Sequence, residues 1–153
     1  RRLHGRSIAR PSAARMVVRA YGSCGSLGGM SCPFCEPPDE RVAIAGELTR
    51  VLIDLYPVAE GHLLVVPRRH IARWSEATLD ERMALMAHTD LARELAMLRD
   101  GTVEGFNIGW NDGPVAGQTV MHLHVHVIPR RRGDVEDPRG GIRWVLPGRA
   151  KYW

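Results

Sequence analysis

The sequence predicts an α+β domain in which an antiparallel sheet of about five strands carries one long helix on a face. Short apolar runs with strand periodicity lie on both sides of a single helical stretch, in the order strands, helix, strands. The last of these runs, His122 to Ile128, alternates strictly between histidine and aliphatic residues, the pattern of a strand with one face in a core. A capping-box spacing, Thr78-Leu79-Asp80-Glu81, opens the helical stretch, and Asp100-Gly101 closes it.

Residues 1–29 hold six arginines, no lysine and no acid, with several serines and glycines, a composition unsuited to a packed core. They are expected to be a disordered or mis-assigned extension, with Met30 as a natural start, although an organelle transit peptide has a similar bias. The formal charge of +4 comes from this stretch, since residues 30–153 carry 15 basic against 17 acidic groups. That balance argues against a nucleic-acid binder. A membrane span is not expected, for want of a run of about 18 apolar residues. Three cysteines, two of them in Cys32-Pro33-Phe34-Cys35, do not make the paired framework of a secreted disulfide protein and fit a reducing cytoplasm.

After the turn-rich Glu36-Pro37-Pro38-Asp39, strands are expected at residues 41–45 and 48–55, separated by Gly46-Glu47. His62-Leu63-Leu64-Val65-Val66, bounded by Gly61 and Pro67, reads as a central strand. In the helix, Leu79, Met83, Met86, Ala87, Leu91, Leu95 and Leu98 share a face expected to be core, with Arg82, Arg93 and Arg99 opposite. Phe106 to Trp110 alternates as a fourth strand and is broken by Asn111-Asp112-Gly113-Pro114. The histidine strand is the fifth, and residues 135–153, rich in arginine, proline and glycine, are expected to form an irregular tail.

His122, His124 and His126 fall on one face of that strand, with Leu123, Val125 and Val127 on the other. Three imidazoles in register are a poor structural choice, because polar groups held on a buried strand cost free energy unless partnered. The local chemistry leaves open metal binding, attack on phosphorus and pH sensing. Cys32 and Cys35 could give two thiolates to one zinc ion, a site needing two more ligands. A buried apolar pair or a redox pair are the alternatives.

Residues 111–134, from Asn111-Asp112-Gly113-Pro114 through Gly117-Gln118-Thr119-Val120-Met121-His122-Leu123-His124-Val125-His126, resemble the signature of the histidine triad (HIT) family of nucleotide hydrolases and transferases. The similarity extends upstream through residues 54–67, so that residues 30–134 read as a HIT domain with a HIT-like fold. The resemblance implies that His124 attacks the α-phosphorus of a nucleotide, giving a covalent nucleotidyl-histidine resolved by water or another acceptor, with AMP as product. His126 would donate to the phosphate oxygens. His62, Asn111, Gln118 and Thr119 match phosphate-side or leaving-oxygen positions, and Asp54 matches a ribose-binding acid. It further implies a structural zinc on Cys32, Cys35, His70 and His122, no catalytic cofactor, and a homodimer.

The run Asp112-Gly113-Pro114 with Ala116 to Val120 is similar to the fragile-histidine branch, which hydrolyses diadenosine polyphosphates. Asn111 and Cys-Pro-Phe-Cys are similar instead to the nucleotide-binding, phosphoramidase-like branch. A diadenosine tetraphosphate-like molecule is the expected substrate, with an adenosine 5′-phosphoramidate as alternative. Two further readings are a metallohydrolase with His122 and His124 on a catalytic zinc, and a module that only binds AMP. Arg130-Arg131-Arg132 could reach distal phosphates or be a solvated charge run, and Trp144, Tyr152 and Trp153 could stack on a base.

Overall fold

A computed structural model describes residues 32–153, so the readings of residues 1–29 and of Met30 lie outside the described residues. The elements are β1 (Val42–Ala45), β2 (Thr49–Ile53), β3 (Leu63–Pro67), α1 (Leu79–Arg99), β4 (Gly105–Gly109) and β5 (Val125–Arg130). They form one antiparallel sheet in the order β1-β2-β3-β5-β4. The expected α+β architecture is therefore the observed one. No helix among the described residues is long and apolar enough to cross a membrane.

β3 is buried at every position because both of its faces are covered. Leu63 and Val65 join Val51, Leu123, Val125 and Val127 beneath α1. Leu64 and Val66 pack with Leu52, Phe34 and Cys32 on the opposite face. A strand covered twice reads as a continuous apolar run, whereas β5 alternates buried with half-buried positions.

Thr78 and Glu81 form the expected capping box, and α1 ends as its backbone turns at Asp100. The orientation of α1 overturns the expectation that its methionine and leucine face is core. Leu79, Met83 and Leu98 are 71%, 64% and 84% exposed, and Met86, Ala87 and Leu91 also face outward. Glu81, Leu85, Thr89, Ala92 and Ala96 are buried instead, with Leu95 partly so. Small side chains let the helix lie close on the sheet. The two polar groups are satisfied: Thr89 Oγ1 donates to the Leu85 carbonyl at 2.8 Å, and Glu81 accepts from Arg69 at 2.7 Å. Arg82 and Arg93 lie over the rings of Trp74 and Phe106 rather than on a free opposite side.

Pairing of β5 starts at Val125, later than its alternation predicts, because His122 and Leu123 are held by other bonds. The Leu123 amide donates to the Ile71 carbonyl at 2.6 Å and the His122 amide to Val120 at 2.8 Å. Beyond β5, short 3₁₀ turns at Gly141–Val145 and Pro147–Arg149 replace a wholly irregular tail. Ile142 of this segment lies beside Gly109, within ordinary contact distance of where a Cβ would stand.

Candidate active site and metal centre

The segment entering β5 and the first residues of that strand carry the histidine row from the interior towards the surface. His122 is fully buried, His124 is 6% exposed, and His126 is half-buried, so one shared face holds three different environments. The loop from Cys32 to Cys35 packs over the buried end. Phe34 meets the edge of His122 at 5.9 Å between ring centroids and tilts against His124 at 5.1 Å.

His124 Nδ1 lies 2.7 Å from the carbonyl oxygen of His122. A carbonyl can only accept, so Nδ1 carries the proton and Nε2 keeps its lone pair. Burial holds the His124 pKa below the ordinary imidazole value, against the pull of the carbonyl bond and of Asp54. The ring is thus a neutral imidazole with one defined nucleophilic nitrogen.

A second set begins at Asp54, placed at the end of β2. Its Oδ2 is 3.0 Å from His62 Nδ1, while its Oδ1 accepts from the Tyr56 amide at 3.0 Å. His62 Nε2 is in turn 3.1 Å from His126 Nδ1. Pairing of Leu64 with His126 across β3 and β5 brings these rings together. Burial lowers the His62 pKa despite the neighbouring carboxylate, and burial with the nearby His124 and His62 pushes that of His126 down to about 4.

The loop from Asn111 to Gln118 precedes the row and is bonded to Ala72 and Val120. Gly113 and Gly117 have φ of 96° and 93°, a conformation that favours glycine, and a side chain at Gly113 would strike Arg73. Gln118 is buried, and its amide is committed to this loop. Its oxygen accepts from the Gly113 amide at 2.8 Å, and its nitrogen donates to Ala72 and Val120 carbonyls at 2.8 and 3.1 Å. Asn111 reaches the Gly117 carbonyl at 3.5 Å, and Thr119 is exposed beside it.

The structure brings Cys32, Cys35, His70 and His122 into one cluster whose donor atoms lie within 4.8 Å of one another. His122 Nδ1 is 3.4 Å from Cys32 Sγ and 3.6 Å from Cys35 Sγ, and His70 Nδ1 is 3.2 Å from Cys35 Sγ. Ligands at the usual zinc bond lengths and tetrahedral angles stand about 3.5 Å apart, sulfur to nitrogen. His122 Nε2 lies 2.9 Å from the Pro67 carbonyl, which fixes the proton there and leaves Nδ1 free to ligate. These four residues could hold a metal ion. Among the described residues no such cluster contains His124, so its pairing with His122 on a catalytic ion finds no geometric support.

Each arginine of the run pairs with an acid, Arg132 while largely exposed. Arg130 pairs with Asp134 at 2.7 Å, Arg131 with Asp100 at 2.6 Å and Arg132 with Glu104 at 2.6 Å. Trp153 and Tyr152 lie against Arg139 and Arg143 within the tail, and Trp144 Nε1 donates to the Arg139 carbonyl at 2.9 Å. Phe34 is the site residue that sequence reasoning passed over. An aromatic side chain enclosed between two ligand-type cysteines was the available signal.

Residues 37–133 match the HIT domain. The chain belongs to the histidine triad (HIT) family. Among HIT relatives, an "AP-4-A phosphorylase" of Mycobacterium tuberculosis (strain CDC 1551 / Oshkosh) is 39% identical over 109 residues, 67% of this chain and 55% of that protein. The "Bis(5'-nucleosyl)-tetraphosphatase [asymmetrical]" of Schizosaccharomyces pombe is 33% identical over 101 residues, 66% of this chain and 55% of that one. The chain thus spans about half the length of these curated relatives. A solved zinc-bound histidine triad family protein from Mycobacterium smegmatis superposes with a TM-score of 0.62 at 34% identity, over 70% of this chain and 80% of that one.

Proposed function

We propose that this HIT protein transfers a nucleotidyl group through His124, cleaving a dinucleoside polyphosphate of the diadenosine tetraphosphate type at its α-phosphate. The observation that carries the reading is the Nδ1 bond from His124 to the His122 carbonyl, which leaves Nε2 as the only lone pair on a desolvated ring. Nε2 attacks phosphorus, the bond to the bridging oxygen breaks, and that oxygen leaves with the electron pair. A second acceptor then attacks the nucleotidyl-histidine, loses its proton and returns the lone pair to Nε2. The names of the relatives support both inorganic phosphate and water as that acceptor. An adenosine 5′-phosphoramidate is the competing substrate, with the same first step.

In this reading Asp54 meets ribose hydroxyls, for which a carboxylate is a strong acceptor. His62, His126, Asn111 and Thr119 surround the phosphate, and Gln118 shapes the loop that presents Asn111. Zinc on Cys32, Cys35, His70 and His122 is structural, its ligands closed to substrate, and a reducing compartment keeps the two thiols available. The chain acts as a homodimer, with the exposed apolar face of α1 and the edge strand β4 as the surface a second copy covers.

Rapid quenching with α-phosphorus-labelled diadenosine tetraphosphate tests the reading. A labelled protein species is expected from the wild type and not from His124→Ala. Label retained by His124→Ala, or lost at once on chelation of a still folded protein, would place the chemistry elsewhere.

A further inference from the structure

We propose that the Cys32–Cys35 knuckle is a clamp for the nucleophile, with Phe34 as a positioning residue that presses the His124 ring into the orientation its Nδ1 bond requires. The inference rests on the reading of His124 as nucleophile and adds a role for a residue outside the triad.

His126 meets the His124 ring edge-on at 5.0 Å between centroids, and two further contacts on that ring trace back to the metal cluster. On one side Phe34, only 6% exposed, packs against the ring at 5.1 Å with a 59° tilt. Phe34 is enclosed between Cys32 and Cys35, whose turn is closed by the Cys35 amide donating to the Cys32 carbonyl at 3.1 Å. On the other side the acceptor for Nδ1 is the backbone carbonyl of His122, whose own ring faces both cysteines. One residue therefore ligates with its side chain and orients the nucleophile with its main chain. The knuckle is also tied to the sheet through its main chain, because Arg50 on β2 donates to the Cys35 carbonyl at 3.1 Å.

An imidazole that keeps one bond but loses one of two packed neighbours gains room to swing about χ2, which has broad wells in histidine. Misplacement of a reacting atom by about 1 Å can cost roughly a hundredfold in rate. Phe34 limits that swing by packing against the ring. Its removal is therefore expected to act on the rate of phosphorus attack rather than on metal binding.

The test compares wild type with Phe34→Leu and Phe34→Tyr, all loaded with zinc, in single turnover on labelled diadenosine tetraphosphate. Metal content per chain and ¹⁵N-histidine spectra are recorded on the same samples. Phe34→Leu is expected to keep its zinc, to form the labelled histidine about tenfold or more slowly with KM changed less than about twofold, and to lose the single Nδ1–H signature of His124. The tyrosine variant is expected to restore rate and spectrum. Should Phe34→Leu not fold, Arg50→Met, which loosens the knuckle while keeping all four ligands, is expected to show the same changes more weakly. An unaltered rate and spectrum with zinc retained would overturn the proposal, as would a raised KM at constant kcat, the mark of a substrate contact. If the wild type itself forms no adduct, the functional reading fails, and the spectra alone decide the clamp.

Discussion

Nε2 of His62 stands 3.1 Å from Nδ1 of His126, and the far nitrogen of His62 stands 3.0 Å from the carboxylate of Asp54. The Asp54 carboxylate, nearer to His62 Nδ1 than the Val58 amide at 3.4 Å, accepts the Nδ1 proton, which leaves His62 Nε2 as an acceptor and makes His126 Nδ1 the donor. The Nε2 atom of His126 then carries a lone pair. In this neutral state it can take a proton from an incoming acceptor, whereas donation to phosphate oxygens needs prior protonation. Replacing His126 by alanine is therefore expected to slow release of the nucleotidyl group by about 10² to 10⁴. Quench-flow should show labelled protein accumulating in the steady state, and its depletion would count against this role.

The depressed pKa of His126 makes an acid-side prediction. The folded value, about 4, lies below the ordinary 6.5, so between these limits the unfolded chain binds more protons than the native one. Stability therefore falls as pH drops from about 6.5 towards 4. Calorimetry of His126→Gln is expected to show a shallower decline of Tm over that window than wild type, at matched zinc loading.

Removing the metal should cost far more than any single side chain, since binding of a structural zinc contributes apparent free energies of order 10 kcal/mol to small domains. Cys35→Ser is expected to lower bound zinc measured by mass spectrometry and to lower Tm. A variant with unchanged Tm and no metal would refute a structural role for the cluster.

Leu79, Met83 and Leu98 form an exposed apolar stripe on α1 that a second copy of the chain is expected to cover. Met83→Lys should shift light scattering from twice the chain mass towards the mass of one chain. A monomeric wild type at micromolar concentration would remove the dimer.

At the start of α1, Thr78 accepts from the Glu81 amide at 3.2 Å, and Glu81 bonds back to the Thr78 amide at 2.9 Å. Thr78→Ala is expected to destabilise the fold by about 1 kcal/mol in denaturant unfolding. The Glu81 carboxyl, drawn down to about 2 chiefly by Arg69, adds stability above about pH 4.5 that fades as pH falls towards 2.

The sheet, the helix and its cap were legible because each is written locally, in alternation, an apolar run or a four-residue box. The buried side of α1 was not. Ala92, Ala96 and Thr89 face the sheet because it lies close, and hydropathy ranks them below the leucines and methionines that face out. The shared face of His122, His124 and His126 followed from period two, but their graded burial comes from a loop some 90 residues earlier. The assembly of Cys32 and Cys35 with His70 and His122 was readable only through kinship, since spacing along the chain says nothing of where the last two ligands come from.

The last strand of the sheet inserts between two earlier ones, β3 and β4. During synthesis, a ribosome must therefore release residues up to about Arg130 before either the catalytic row or the metal ligands can assemble. Until then β3 presents one unpaired edge and β4 both of its edges, so the nascent chain passes through a window in which chaperone capture or strand-mediated aggregation competes with completion.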